Sequence, residues 1–564
     1  MARDPDEGDA FVFDLVDDDA VAGDAPTGSA GPGTAPDAEL AAADPAASDS
    51  PGRKRRAAAQ AAAVLAIVLG TGLAVEGLRD HARIERMRDI PGGVADVSAP
   101  LEEAWVWAGA VGSGESSTAD VVVLGGVLAF RSDDGLVALD PATGQEAWAV
   151  RLRENADCGP MVSPARPDPG SEALVCLQRT GKGTEREVVA VGPDGATSAP
   201  RVLDAADTRR YGLPHVGPDG TVLRAKRVGP LSAIDLGDAG CTTAGECSGT
   251  VEAGRDLLLR AEDAATGAAR WTVTVPFRAA DAVQCARTFG GSWGGSDTRL
   301  VLSGQLTPDT FGARVTSGLV DLNGCGVEAS VTSDGVVLGT EIEPGRGGVI
   351  RLGATRYAGV TFEGVARARL YAADGDVVGE IIGYPLSPAA TDEVGPATLL
   401  AVDEPARRLR AYEPDGTPRW DIVLQSGGQE FLAQVGDTAV VTSGAGTVRG
   451  LDLATGAERW VWDGSAPVST DDGGYFGSAH VVQAFTDGES VLLLTEREAG
   501  GGTQGLVALD AASGAVLWDR AGGGPITTLD LTDGDTVEQG VVGDLIAVDG
   551  NLLEVTPRGV RGLG

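Results

Sequence analysis

The chain is short of positive charge and of histidine. Its 44 lysines and arginines are outnumbered by 82 aspartates and glutamates, so the net charge is −38. Nucleic-acid binding requires clustered lysine and arginine to meet the phosphates, so this balance argues against a nucleic-acid partner. The three histidines, His81, His215 and His480, are far apart, and no Cys-x-x-Cys pair accompanies them. A zinc site is therefore disfavoured.

Aromatic residues are also scarce, at 4% of the chain, whereas glycine is abundant, with 83 residues. This composition favours a fold with many tight turns over a helical one. Five stretches repeat one pattern: a β-type run, an acidic residue, a turn that ends in glycine, and then a tryptophan. These stretches are 137–148, 259–271, 409–420, 449–460 and 507–518. A recurring unit of this kind predicts a stack of similar supersecondary elements.

Each repeat predicts a β-hairpin. The run before Asp140 alternates apolar and polar residues, Gly144 can adopt a positive φ, and the return strand carries Trp148. We expect the aspartate to accept hydrogen bonds from the turn and the indole to fill the gap between neighbouring sheets. The equivalent structural residues are Gly267, Trp271, Gly416, Trp420, Asp452, Gly456, Trp460, Asp510, Gly514 and Trp518.

Three further stretches, 187–200, 317–329 and 369–380, keep the strand and turn pattern but have no tryptophan. We interpret them as degraded copies of the same hairpin. Together with the five clear repeats they predict eight units.

The pattern of strand, Ala-x-Asp, x-Thr-Gly and x-x-x-Trp resembles the pyrroloquinoline-quinone-type (PQQ-like) repeat of bacterial β-propellers. The resemblance covers residues 98–560 and is specific at Asp140, Thr143, Gly144 and Trp148. It implies an all-β propeller of four-stranded blades, eight on our count, with seven as the alternative. It also implies a ring closed by joining strand 103–108 to the last strands, 545–549 and 552–556, which removes exposed sheet edges.

The family also contains quinone-dependent dehydrogenases, which have a disulfide between adjacent cysteines and a calcium ion held by Glu, Asn and Asp. This sequence has no Cys-Cys pair, and Asn155, Asn323 and Asn551 are its three asparagines. We therefore assign no catalytic, cofactor-binding or metal-binding residue and predict a non-enzymatic binding or scaffold module. A quinone- and calcium-dependent dehydrogenase is the alternative. Trp293, between glycines and outside the repeat, is a possible ligand contact.

The six cysteines all lie after residue 157. An even number in this part of the chain indicates disulfides in an oxidising compartment. Six cysteines allow fifteen pairings, and sequence alone cannot select one. Proximity in the hairpin arrangement favours the pairs Cys158–Cys176, Cys241–Cys247 and Cys285–Cys325.

The first hundred residues predict a tail, a membrane span and a linker. Residues 1–56 are acidic and lack periodicity, which predicts a disordered cytoplasmic tail that ends in the basic cluster 53–56. Residues 57–78 begin with an uncharged, alanine-rich run long enough to cross a bilayer. A cleaved signal peptide is the alternative. Residues 79–97 are expected to be a linker to an extracytoplasmic propeller.

Phe11, Phe13 and Leu15 stand among acidic residues in the tail. They could dock on a cytoplasmic partner, which would make the chain a transmembrane signalling protein, or belong to a simple solvated tail. Taken together, the sequence predicts a single-pass membrane protein whose propeller binds a protein, peptide or cell-envelope ligand.

Overall fold

The structure is a computed structural model, and the part of the chain that it describes begins at residue 79. The described residues are 79–112, 121–132, 134–153, 156–161, 171–180, 185–243, 245–290, 299–302, 305–316, 318–340, 342, 347–353, 355–424, 429–442, 446–464, 479–497, 503–520 and 544–564.

Nine antiparallel sheets of four strands each, numbered here as blades 1 to 9, follow one another in this part of the chain. Blade 1 consists of strands Val121–Leu124, Val127–Ser132, Gly135–Leu139 and Glu146–Arg151. Blade 2 consists of Asp157–Gly159, Leu174–Arg179, Arg186–Val191 and Arg201–Leu203. Blade 3 consists of Leu213–Val216, Thr221–Val228, Asp256–Asp263 and Ala269–Val275. Blade 4 consists of Phe311–Val315, Leu319–Gly324, Val327–Thr332 and Val337–Leu338. Blade 5 consists of Gly347–Arg351, Arg356–Glu363, Val365–Ala372 and Val377–Ile382. Blade 6 consists of Tyr384–Leu386, Leu399–Asp403, Arg408–Tyr412 and Pro418–Val423. Blade 7 consists of Phe431–Val435, Thr438–Thr442, Thr447–Asp452 and Glu458–Asp463. Blade 8 consists of Ala479–Thr486, Ser490–Arg497, Thr503–Asp510 and Val516–Arg520. Blade 9 consists of Asp544–Val548, Asn551–Thr556, Gly559–Leu563 and Glu103–Ala108.

Shorter elements connect the blades. The helices are α1 at residues 79–88, α2 at Ala205–Tyr211 and α3 at Ala282–Cys285, with a 3-10 turn at Leu231–Ala233. Strand Ala390–Thr391 adds in parallel to the first strand of blade 7. Three two-stranded pairings complete the set: Gly240–Cys241 with Cys247–Ser248, Thr250–Val251 with Ala280–Asp281, and Arg287–Gly290 with Arg299–Leu302.

The hydrophobic core lies between successive blades. Leu128 and Phe130 of blade 1, for example, pack in one cluster with Ile546 and Leu553 of blade 9. The fourth strands are the most exposed, since residues of Glu146–Arg151 alternate between exposed and half-buried. This pattern places the fourth strands at the periphery, as in a propeller.

Blade 9 closes the ring. Its fourth strand, Glu103–Ala108, comes from the start of the propeller and pairs antiparallel with Gly559–Leu563, with Glu103 opposite Leu563 and Ala108 opposite Gly559. The closure that the PQQ-like resemblance implied is thus present, with Gly559–Leu563 as an additional final strand.

The predicted blade count of eight, with seven as the alternative, is wrong, because the described residues form nine blades. The missed unit is blade 9, whose third and fourth strands lie at opposite ends of the sequence. No hairpin joins these two strands, so the unit has no continuous repeat motif to count.

One degraded repeat was also placed one strand too early. The hairpin within residues 317–329 joins the second and third strands of blade 4. The third-to-fourth hairpin, which the other repeats contain, follows at residues 332–337. The other two degraded copies do lie at the third-to-fourth hairpins of blades 2 and 5.

The antiparallel strands divide the connections of each blade between two faces of the propeller. We define the turn face as the one with the first-to-second and third-to-fourth turns. The insert face carries the second-to-third connections and those between successive blades. The repeat motifs therefore lie on the turn face.

The segment predicted as a linker, 79–97, contains α1 and lies on the turn face. Arg83 donates a hydrogen bond of 2.6 Å to the carbonyl of Asp487, in a first-to-second turn. Met87 is fully buried, and Val94 and Val97 join the core cluster between blades 8 and 9.

The predicted tail, 1–56, with Phe11, Phe13 and Leu15, and the predicted span, 57–78, lie outside the described residues. None of the helices in the described part of the chain combines the length and apolar character needed to cross a membrane.

Candidate functional site

The repeat tryptophans join neighbouring blades through one recurring contact. Each lies on a fourth strand. Except for Trp518, whose acceptor is Val97, the indole N–H donates to a carbonyl next to the third-to-fourth turn of the next blade. The donor–acceptor distance is 2.8 Å from Trp148 to Pro193 and 2.7 Å from Trp271 to Ser333. The same contact links Trp105 to Pro141, Trp420 to Leu453 and Trp460 to Ala511.

Three of the five repeat glycines lie against these indoles. Gly456 has a φ of +72°, and a Cβ built on it would lie 2.6 Å from Cε3 of Trp420. Gly144 meets Trp105 and Gly514 meets Trp460 in the same way, whereas Gly267 meets Arg201 and Gly416 meets the backbone of Glu380.

The repeat aspartates organise the turns. Asp140 Oδ1 accepts hydrogen bonds from the backbone N–H groups of Ala142 and Thr143. Asp452 and Asp510 accept equivalent bonds from Thr455 and Ser513. Hydrogen bonds from Arg459 and Thr455 lower the pKa of Asp452 to about 2. The repeat residues are thus engaged in turns and in contacts between blades.

The remaining candidates for chemistry do not come together. Trp293 lies outside the described residues. Burial lowers the pKa of His215 to about 3, so this imidazole is neutral. Across the described stretches, no group of three or more His, Cys, Asp or Glu side chains is arranged to hold a metal ion.

One large elaboration of the insert face is an insertion in blade 3, residues 229–255, which we call the blade 3 insert. It contains the 3-10 turn Leu231–Ala233 and the hairpin of Gly240–Cys241 with Cys247–Ser248. A disulfide between Cys241 and Cys247 closes this hairpin. The insert is therefore a cross-linked structure rather than an open loop.

Polar contacts attach the insert to blade 4. Arg255 holds Asp309 through two hydrogen bonds, of 2.8 and 2.5 Å. Arg227 donates to the carbonyls of Arg255, at 2.8 Å, and of Cys325, at 2.7 Å. A bidentate arginine–carboxylate pair fixes orientation as well as position.

The structure contains the three predicted cysteine pairs. Cys285–Cys325 ties α3 to the second-to-third turn of blade 4, on the insert face. Cys158–Cys176 joins the first two strands of blade 2, where the two residues lie directly opposite each other. Two of the three disulfides thus brace the insert face.

The surface of the insert is acidic with exposed leucines. Leu231 is 69% exposed and Leu236 is 41% exposed. Four carboxylates accompany one arginine, Arg255; they belong to Asp235, Asp238, Glu246 and Glu252. Apolar side chains held on a rigid element and surrounded by charge are typical of a docking surface.

A second exposed apolar feature lies on the same face, where blade 5 passes to blade 6. The rings of Phe362 and Tyr384 are stacked, with centroids 6.2 Å apart and an interplanar angle of 16°. They are 53% and 38% exposed. Ile382, two residues before Tyr384, is 37% exposed, and Val365 is 38% exposed.

Sequence reasoning did not select these residues. For the insert, the signals available were the long interval without a tryptophan between Trp148 and Trp271 and the close pair Cys241 and Cys247. Phe362 and Tyr384 belong to different blades, and only the fold brings their rings together.

Comparison with known proteins gives one family match over part of the chain. Residues 368–542 match the family described as outer membrane protein assembly factor BamB. This region runs from the third strand of blade 5 past the end of blade 8. No curated protein matches the chain.

Among solved structures, BamB from Moraxella catarrhalis is 13% identical with a TM-score of 0.34 and aligns over 82% of this chain and 99% of that chain. The computationally designed Ika8 protein is 10% identical with a TM-score of 0.30, over 81% and 99% of the chains. The C-terminal WD40 domain of Sif2 is 11% identical with a TM-score of 0.29, over 83% and 99%. At these scores the superpositions carry no argument about function. The chain is thus a β-propeller that is similar, over residues 368–542, to the BamB-type repeat family.

Proposed function

We propose that this chain is a non-enzymatic binding module, held at a cell membrane by residues 57–78, that docks a protein or peptide of the cell envelope on its insert face. The observation that carries the proposal is the blade 3 insert, which exposes Leu231 and Leu236 in the segment that leads into a disulfide-closed hairpin. A rigid element exposes an apolar side chain to a partner without the entropic cost of ordering a loop.

Helix α1 occupies part of the turn face, where Arg83 fixes it, whereas the exposed apolar residues lie on the insert face. The three disulfides support an extracytoplasmic location, because disulfides persist in oxidising compartments.

The family match supports a scaffold role, since the matching family is described as an assembly factor; the matched region includes Tyr384 but begins after Phe362. The acidic insert favours a partner with a basic contact surface, because complementary charge steers association. A basic, partly apolar protein segment fits both features of the insert.

Site-specific photo-crosslinking in intact cells tests the proposal. A photoreactive amino acid is placed at Leu231 or Phe362 on the insert face, or at Ala142, an exposed position on the turn face. Mass spectrometry then identifies the adducts. We expect one discrete protein adduct from the insert-face positions and none of that adduct from Ala142. Adducts only from Ala142, or no discrete adduct from either insert-face position, would refute the proposal.

A further inference from the structure

The junction between blades 2 and 3 lacks the indole that joins most neighbouring blades. Arg201, on the fourth strand of blade 2, replaces it. Its Nε donates a hydrogen bond of 3.1 Å to the carbonyl of Ala264, and its guanidinium lies against Gly267. An arginine therefore makes the contact that tryptophan makes elsewhere, which brings a positive charge between two blades.

Two more arginines lie at this junction, on the sheet of blade 3. Arg224 and Arg260 are directly opposite each other on adjacent strands, an arrangement that is unfavourable for like charges. Glu262 pairs with Arg260 at 2.9 Å and with Arg201 at 3.2 Å. One carboxylate, 4% exposed, thus faces three guanidinium groups. Asp207 on α2 is a second, more distant negative charge.

Arg224 is the most deeply buried member of this set, at 1% exposed. Its Nε donates to the carbonyl of Gly212 at 3.1 Å, but both of its terminal nitrogens are buried without a hydrogen-bond partner in the protein. One terminal nitrogen of Arg201 is in the same state. Burial lowers the pKa of the Arg224 guanidinium. Unsatisfied buried donors of this kind are rare and call for an ion or water as a partner.

Tyr211, at the end of α2, holds the guanidinium groups in place. Its ring centroid lies 4.7 Å from Cζ of Arg260 and 5.9 Å from Cζ of Arg224. Arg210 approaches the same ring at 4.9 Å. Cation–π contacts use the faces of the guanidinium groups and leave their N–H edges available to an acceptor.

We propose that the junction between blades 2 and 3 is a binding site for a small oxyanion of the size of phosphate or sulfate. Arg224 and Arg201 donate to its oxygens through their unpartnered terminal nitrogens, and Arg260 supplies further positive charge. The guanidinium fork matches the spacing of two oxygens on a tetrahedral anion. The anion is small because Arg224 is buried; the side chains of Arg201 and Arg260 are 20% and 23% exposed, so the site is partly open to solvent on their side.

Anion titration of the propeller, expressed as the full chain and purified in phosphate- and sulfate-free buffer, tests the site. Thermal unfolding is followed as sodium phosphate or sodium sulfate is added, with sodium chloride at equal ionic strength as the reference. A ligand that binds the folded state raises the unfolding temperature in a saturable way. We expect a saturable rise with phosphate or sulfate above the chloride reference. Identical responses to all three salts would mean that ordered water alone satisfies Arg224, and would overturn the site.

Two substitutions assign the binding to these residues. Arg224→Met removes the buried donors, and Arg260→Gln changes a partly exposed member whose loss the fold tolerates more easily. Arg224→Met is expected to raise the dissociation constant by about tenfold or more, the effect of losing a hydrogen bond to a charged group. Arg260→Gln is expected to raise the dissociation constant as well, because it removes one positive charge from the site. Arg367→Gln, at a 58% exposed arginine in blade 5, is the matched control and should keep the full response. If Arg224→Met does not fold, the anion affinity of Arg260→Gln tests the assignment instead. An affinity equal to that of the wild type in Arg260→Gln would overturn the assignment.

Discussion

The indole N–H of Trp518 donates a 2.8 Å hydrogen bond to the carbonyl of Val97, a residue 421 positions earlier in the chain. Both residues are buried in the cluster between blades 8 and 9. In the other junctions that have an indole, the acceptor belongs to a residue at a third-to-fourth turn. Blade 9 has no such turn, because its fourth strand comes from the start of the propeller. Val97, which precedes that strand, provides the carbonyl and so completes the ring.

Trp518→Phe should destabilise the propeller more than Trp148→Phe. Each substitution keeps an aromatic ring and removes the N–H donor. At Trp518 it leaves a buried carbonyl unsatisfied, which costs about 1–3 kcal/mol. The acceptor of Trp148, Pro193, is reached by solvent, so water can replace the lost bond at a cost of about 1 kcal/mol or less. Urea unfolding midpoints measure the difference, and equal midpoints would contradict the special role of the closing contact.

Two glycines of blade 7 separate backbone strain from indole contact. Gly436 has a φ of +55° with open space around its Cβ position, so Gly436→Ala should cost about 1–2 kcal/mol for left-handed backbone alone. Gly456→Ala adds a clash with Trp420 and should cost about 3 kcal/mol or more. The free energies of unfolding of the two variants test this order. A smaller loss in Gly456→Ala would mean that the indole moves aside without cost.

These contacts also show what the sequence could and could not predict. The hairpins around Asp140, Asp452 and Asp510 have a local cause, since the aspartate, the turn glycine and the strands lie within a dozen residues. Blade 9 could not be counted, because its hairpin is split between the two ends of the propeller. The juxtaposition of Phe362 with Tyr384 leaves no periodic signal, because it depends on how two blades meet.

The arginine contacts at the junction between blades 2 and 3 could be predicted from the sequence only in part. The stretch 187–200 was identified as a repeat without tryptophan, which marks a junction that something else must fill. That Arg201 fills it, and that Arg224 and Arg260 lie opposite each other, depends on strand register across a 27-residue insertion. Register over such a gap is set by packing rather than by local pattern.

Glu554 should make stability depend on pH. It is 3% exposed, and burial raises the pKa of its carboxyl to about 7, against the attraction of Arg561. The folded state then holds the proton more tightly than the unfolded state. The stabilisation is therefore full below the unfolded pKa of about 4.5 and is lost as pH rises through about 7. This pKa shift corresponds to a loss on the order of 3 kcal/mol in the free energy of unfolding at high pH.

Glu554→Gln should remove this dependence. Unfolding free energies of the wild type and the variant, measured between pH 4.5 and 8, should diverge as pH rises, because only the wild type loses stability through this group. Glu146→Gln, at an exposed position of blade 1, is the control and should run parallel to the wild type. Parallel curves for Glu554→Gln would contradict the assignment.

Pyrroloquinoline quinone with calcium should not stabilise this propeller. The sequence has no adjacent cysteines, and the described residues hold no cluster of carboxylates suited to a metal ion. The unfolding temperature should stay unchanged at saturating quinone and calcium, added together and separately. A saturable rise that needs both components would instead support the dehydrogenase alternative, because ligands that bind only the folded state raise that temperature.

The two disulfides of the insert face should differ in what they stabilise. Cys285 and Cys325 are buried and 40 residues apart, so their bond constrains a long loop, worth about 4 kcal/mol in the chain-entropy account. The bond between Cys241 and Cys247 spans 6 residues, worth about 2 kcal/mol on the same account, and acts within an insert that can open locally.

Replacing Cys285 and Cys325 by alanine should therefore lower the urea midpoint of the whole propeller. Replacing Cys241 and Cys247 by serine should leave that midpoint nearly unchanged and speed amide hydrogen exchange only in residues 229–255. The same serine variant should lose the crosslinked adduct from position 231, because the hairpin that follows Leu231 in the insert is no longer closed. If hydrogen exchange accelerates but the adduct remains at full yield, the rigidity of the insert does not contribute to partner binding, and its exposed leucines act as a flexible contact instead.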